Sequence, residues 1–292
     1  MIFLLTSEQW FQFARKTSPH ILTFLLLICS AGTLARAAEF KDIPYARIDG
    51  VTLTLDAHIP DGRGPFPAAI LVHGGGWVAG DKEQYITYIF HPLTDAGFAW
   101  FSINYRLAPQ YKFPANAEDV ESAIRHVKAN AAKYKVDTRR IVLIGESAGG
   151  HLVSYVGARN RPELGVAAVV SMYGIHDFVS AALAWKPLPT EILQLFGIVE
   201  VNAETAPLLI QASPVVYVSR NMPPFLLVHG SKDEDVPYQQ SVEMCQRMKT
   251  VGARCELITI EGAPHGMDRW ESHPEFLWYK KALVDWLRAT LE

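Results

Sequence analysis

Residues 140–152 read Arg140-Ile141-Val142-Leu143-Ile144-Gly145-Glu146-Ser147-Ala148-Gly149-Gly150-His151-Leu152. A short apolar run, 141–144, leads straight into Gly-x-Ser-x-Gly, and a helical pattern follows. Strand, sharp turn and helix together form the setting in which a serine hydroxyl is lifted above the end of a sheet. Such a turn is strained, so Gly145 and Gly149 must omit side chains that would collide. The helix after it turns its positive end toward any negative charge developing above Ser147. A chance strand-to-helix turn is the plainer alternative, and the flanking strand and helix argue against it.

Similar apolar runs lie at 68–72, 99–103, 166–172, 225–228 and 257–260. Short continuous runs suit strands buried on both faces of a parallel sheet. Residues 51–59 alternate apolar and polar instead, which predicts an antiparallel strand. Helical patterns at 115–133, 238–251 and 275–291 separate the runs. Strands alternating with helices predict an α/β fold, a mostly parallel twisted sheet with helices on both faces. The longest interruption, 174–222, has a helical patch at 190–196. An insertion of that length is read as a small cap or a substrate wall, or simply as helices joining two strands.

A serine hydroxyl needs a base to remove its proton, and the base needs an acid to hold its tautomer. With the elbow in place, the expected chain order is Ser, acid, His. His265 follows the 257–260 strand in Glu261-Gly262-Ala263-Pro264-His265-Gly266. It alone of the later histidines has the order, the strand-end position and an adjacent glycine. The acid is expected after the 225–228 strand, where Asp233 is preferred. Asp235 is its rival, or else a cap for the helix beginning near Pro237. Donors for the oxyanion are expected from the amides of Gly75 and Gly76, in His73-Gly74-Gly75-Gly76-Trp77, and of Ala148 beside the nucleophile. Trp77 and Tyr173 are expected to line the substrate groove, with a place in the core as the alternative.

These residues resemble the α/β-hydrolase superfamily, and within it the carboxylesterases with an HGGG oxyanion loop and a GxSAGG elbow. Hormone-sensitive-lipase relatives and feruloyl- and acetyl-esterase-like enzymes belong there. Asn104 to Pro109, Phe113 to Ala115 and the turn from His229 to Pro237 add to the resemblance, which extends over nearly all of the chain after residue 37. It implies Ser147 as nucleophile, His265 as base and Asp233 as acid, with Gly75, Gly76 and Ala148 as the oxyanion hole. It implies a serine carboxylesterase acting on short-chain acyl or carbohydrate-linked acetyl and feruloyl esters, with no metal or organic cofactor. The long N-terminal cap of the hormone-sensitive-lipase relatives is expected to be missing, which favours the feruloyl-esterase-like branch and an open site. Glu146 stands where an aspartate is common, a conservative change with no functional reading attached.

The composition fits this frame. The chain has 292 residues, 49% hydrophobic and 20% charged, too apolar for a disordered chain. A net charge of −3 argues against nucleic-acid binding through a basic face. Three cysteines are too few for a disulfide scaffold or a Cys-rich zinc site. Arg15 and Lys16, the apolar run 21–29 and Ala35-Arg36-Ala37 read as a signal peptide cleaved after Ala37. A buried helix or uncleaved anchor is the alternative. Cleavage removes Arg15, Lys16, Arg36 and Glu8, leaving 24 basic against 29 acidic side chains, a charge of −5. The expectation is one catalytic domain, residues 38–292, secreted or periplasmic, with no stable membrane insertion. Cys245 and Cys255 are then either bonded or two free thiols. Two further functions share these features: an arylformamidase or other amide hydrolase, and a non-catalytic binding module. Matched ester and amide substrates separate the first, and labelling of Ser147 separates the second.

Overall fold

In the computed structural model, which describes residues 37–292, each apolar run becomes a strand. The strands are β1 (Ala38–Ile48), β2 (Val51–Ile59), β3 (Phe66–Val72), β4 (Ala99–Ile103), β5 (Val136–Glu146), β6 (Val166–Met172), β7 (Phe225–Gly230) and β8 (Cys255–Ile260). Among the described residues they form one eight-stranded sheet in the order β1-β2-β4-β3-β5-β6-β7-β8. β2 runs antiparallel to β1 and β4, and the remaining pairs are parallel. The predicted α/β-hydrolase fold is the one observed. The predicted signal peptide lies outside the described residues.

Helices cover both faces, which is why the central strands are apolar throughout. The helices are α1 (Phe90–Asp95), α2 (Ala115–Ala129), α3 (Ala131–Tyr134), α4 (Ala148–Arg159), α5 (Phe178–Ala184), α6 (Thr190–Phe196), α7 (Ala206–Ala212), α8 (Gln239–Thr250), α9 (Met267–Trp270) and α10 (Trp278–Leu291). Along β3, Ile70 and Val72 enter one core with Val120 and Ile124 of α2 and Leu152 and Val156 of α4. Ala69 and Leu71 enter the other, with Leu93 of α1 and Leu283 and Leu287 of α10. Among the described residues, no helix is long and apolar enough to cross a membrane.

Three differences from the sequence reading have local causes. β1 was not expected, because an edge strand is mostly half-buried or exposed and its apolar signal is weak; it carries Pro44 and two register shifts. The helix expected over 115–133 breaks at Asn130, whose side-chain amide donates to the His126 carbonyl at 2.9 Å. The 174–222 insertion contains three short α-helices and a 3-10 turn at Pro214–Tyr217 rather than one patch. Asp177 starts α5 by accepting from the amides of Val179 and Ser180.

Candidate active site

β5 ends at Glu146 and α4 begins at Ala148, so Ser147 alone makes the turn. Its φ of 52° and ψ of −117° lie outside the regions that side chains favour, a strain costing about 1–3 kcal/mol. The turn is held by close packing. A Cβ on Gly149 would run into the Val72 carbonyl at the end of β3, and one on Gly145 would run into Gly149 itself. Ser147 is only half-buried, so the insertion does not seal it from solvent.

Ser147 Oγ lies 3.0 Å from His265 Nε2, and His265 Nδ1 lies 2.7 Å from Asp233 Oδ2. The strand ends of β5, β7 and β8 bring the three together across more than a hundred residues of chain. The Asp233 carboxyl is fully buried. Its Oδ1 accepts the amides of Asp235 at 3.0 Å and Val236 at 2.8 Å. His229 Nε2 reaches its Oδ2 at 3.2 Å. Burial opposes the charge on Asp233, but hydrogen bonds from His229, His265 and the Val236 amide outweigh it and hold the carboxyl well below the usual range. Burial likewise opposes a charge on His265. The Asp233 carboxylate outweighs that effect and raises the imidazole above its ordinary value.

The loop after β3 faces this relay. Gly75 and Gly76 adopt φ of 94° and 61°. Among the described residues their amides donate to no backbone carbonyl outside helices and strands. Ala148 is the first residue of α4, whose leading amides have no partner within a helix. The loop is propped from behind: the Tyr105 hydroxyl donates to the carbonyls of His73 and Gly74, and its ring stacks on His73 at 4.3 Å. Arg106 clamps the next segment through Asp119 and Asp49, and the Ala108 amide donates to the Trp77 carbonyl at 2.9 Å.

The BD-FAE family model matches residues 55–248. The chain belongs to the BD-FAE family. Esterase LipC of Mycobacterium tuberculosis is 32% identical over 216 residues, covering 70% of this chain and 54% of LipC. The chain thus spans about half the length of the curated relatives it matches first. A truncated carbohydrate esterase from gut microbiota superposes with a TM-score of 0.77 at 27% identity, covering 89% of this chain and 98% of that one. A bifunctional GH43-CE protein of Bacteroides eggerthii superposes at 0.76 and 30% identity, covering 87% of this chain and 38% of that one.

Within this BD-FAE chain, two residues expected to line the substrate groove are core residues. Trp77 is 3% exposed. Its positive φ turns the indole inward, where Nε1 donates to His151 Nδ1 at 3.1 Å, and His151 Nε2 in turn donates to the Ala212 carbonyl of α7 at 2.9 Å. Trp77 therefore ties the loop after β3 to α4 and to the insertion. Tyr173 is fully buried; its ring meets His265 edge-on at 4.7 Å, and its oxygen accepts the Met267 amide at 3.0 Å. Asp235, the alternative acid, is exposed, and no side chain caps α8. His229 escaped the sequence reading as a partner of the acid. Its Nδ1 accepts from Ser241 at 2.8 Å, which leaves Nε2 to donate to the Val236 carbonyl at 3.1 Å, with Asp233 Oδ2 close by at 3.2 Å. The available signal was a histidine at a strand end four residues before the acid. Cys245 on α8 and Cys255 on β8 are bonded, with Cα atoms 5.4 Å apart.

Proposed function

We propose that this chain is an exported serine carboxylesterase that forms an acyl-enzyme on Ser147. The observation that carries the proposal is the continuous relay from Ser147 Oγ through His265 to Asp233, set beside unused amides. His265 takes the hydroxyl proton as Ser147 attacks the ester carbonyl. Asp233 fixes the tautomer and stabilises the imidazolium. The amides of Gly75, Gly76 and Ala148 receive the oxyanion, at about 3 kcal/mol for each well-placed donor. The alcohol leaves with the proton from His265. Water activated by the same imidazole then releases the acid.

The half-buried Ser147 supports an open site suited to small acyl groups on bulky alcohols, such as acetyl or feruloyl groups on polysaccharides. The likeness to a carbohydrate esterase supports the same reading. Kinetics on p-nitrophenyl esters of increasing chain length, beside acetylated and feruloylated xylo-oligosaccharides and matched anilides, test it. The expected result is the highest kcat/KM on acetyl or feruloyl sugars and far slower anilide cleavage. Preference for long acyl chains, or for anilides, would overturn it.

A further inference from the structure

Glu146 is a buried carboxyl that the acyl-transfer steps above do not use. It closes β5 immediately before Ser147 and is almost inaccessible. Among the described residues its Oε1 has no hydrogen-bond partner. The carboxyl packs against Gly74, and Tyr173, His265, Asp268 and Tyr105 are near enough to act on its charge. The oxyanion loop is shaped around it. A Cβ on Gly74 would sit 2.9 Å from Oε2 and closer still to Oε1. Burying a carboxyl with so few partners is costly. Burial pushes it up to about 7, against the opposing pull of His265 and of its hydrogen bonds.

Tyr173 connects this carboxyl to the base. Its oxygen accepts from the Met267 amide at 3.0 Å, which leaves the hydroxyl proton free for Glu146. Met267 lies two residues after His265, so the contact anchors the loop that carries the imidazole. The Tyr173 ring meets His265 edge-on at 4.7 Å. His265 thus has Asp233 on its Nδ1 and a separate Tyr173–Glu146 pair behind its ring, with Asp235 adding a more distant negative charge.

We propose that Glu146 and Tyr173 are positioning residues forming a second, buried arm behind His265. Tyr173 fixes the ring and its loop. When ionised, the Glu146 carboxylate stabilises the imidazolium created when the Ser147 proton moves to Nε2. This rests on Ser147 and His265 being nucleophile and base.

The test uses the full chain with Glu146→Gln, Tyr173→Phe and Ser147→Ala. Two quantities are read: kcat and KM on a p-nitrophenyl ester across pH, and the titration midpoint of His265 by NMR of histidine-labelled protein, assigned with His265→Ala. Removing a negative charge beside an imidazole lowers its pKa. Glu146 itself takes up a proton near pH 7, so Glu146→Gln is expected to move both the acid limb of kcat/KM and the NMR midpoint down by about half a pH unit. It is also expected to lower kcat about tenfold with KM nearly unchanged. Tyr173→Phe is expected to lower kcat with a smaller shift. It carries the test alone if Glu146→Gln does not fold. Superimposed pH profiles with an unmoved His265 midpoint would overturn the proposal, as would a rise in KM alone. Activity retained in Ser147→Ala, or no ester hydrolysis by the unmutated chain, would instead overturn the esterase reading. The NMR midpoint would still decide the coupling of Glu146 to His265.

Discussion

His265 Nδ1 lies 2.7 Å from Asp233 Oδ2, while Asp235, two residues further on, is exposed and contributes only its amide to the Asp233 carboxyl. The turn after β7 buries one acid and leaves the other in water. Asp233→Asn should lower kcat by about 10⁴-fold, because the imidazole loses the group that holds its tautomer. Asp235→Asn should change kcat by less than about threefold, since it is a solvated charge. Parallel steady-state kinetics of the two variants check this, and the reverse ranking would make Asp235 the acid.

The pH dependence follows from the same contact. An imidazole can act as a base only when neutral, and the neighbouring carboxylate raises that of His265 above its ordinary value. The acid limb of kcat/KM should therefore have its midpoint above pH 6.5 and move to lower pH in Asp233→Asn. Asp233 itself is held low and adds no limb in the neutral range. A midpoint below 6.5 in the unmutated chain would show that burial, not the carboxylate, dominates at His265.

Trp77 offers a test of its place in the core. Trp77→Phe leaves the buried His151 Nδ1 without its donor, at a cost of about 1–3 kcal/mol. Thermal unfolding should show a lower Tm with the acyl-chain preference unchanged. An unaltered Tm with a changed preference would return Trp77 to the substrate groove.

The Cys245–Cys255 bond closes a loop of ten residues between α8 and β8, the strand that leads to His265. Constraint of so short a loop in the unfolded chain is worth about 2.5 kcal/mol. Replacing both cysteines by serine should lower Tm by about 5–10 °C without moving kcat at 25 °C. Equal Tm values for the two forms would show that the bond contributes nothing to stability.

The strand ends were legible because each chemical residue there follows an apolar run with no other reading. Ser147 comes after 141–144, Asp233 after 225–228 and His265 after 257–260. The glycines beside them signal turns by local sterics alone. Burial of single aromatic residues was not legible. Trp77 follows three glycines and reads as a loop residue, yet its backbone turns it toward His151. Tyr173 follows a core strand and reads as a lip of the site, yet it lies beneath His265. Glu146 reads as a conservative replacement, because the groups around it, Gly74, Tyr173 and His265, come from three separate strand ends. β1 left little trace because an edge strand needs little apolar patterning.

Reaction with a fluorophosphonate probe, followed by peptide mass spectrometry, tests the account most directly. The reagent needs a serine activated by its base and a pocket for the phosphoryl oxygen, so it reports the assembled site and not the fold alone. One adduct is expected, on Ser147, lost in Ser147→Ala and strongly slowed in His265→Ala while both variants keep the unmutated circular dichroism spectrum. An unlabelled chain, or an adduct on another residue that persists in Ser147→Ala, would contradict it.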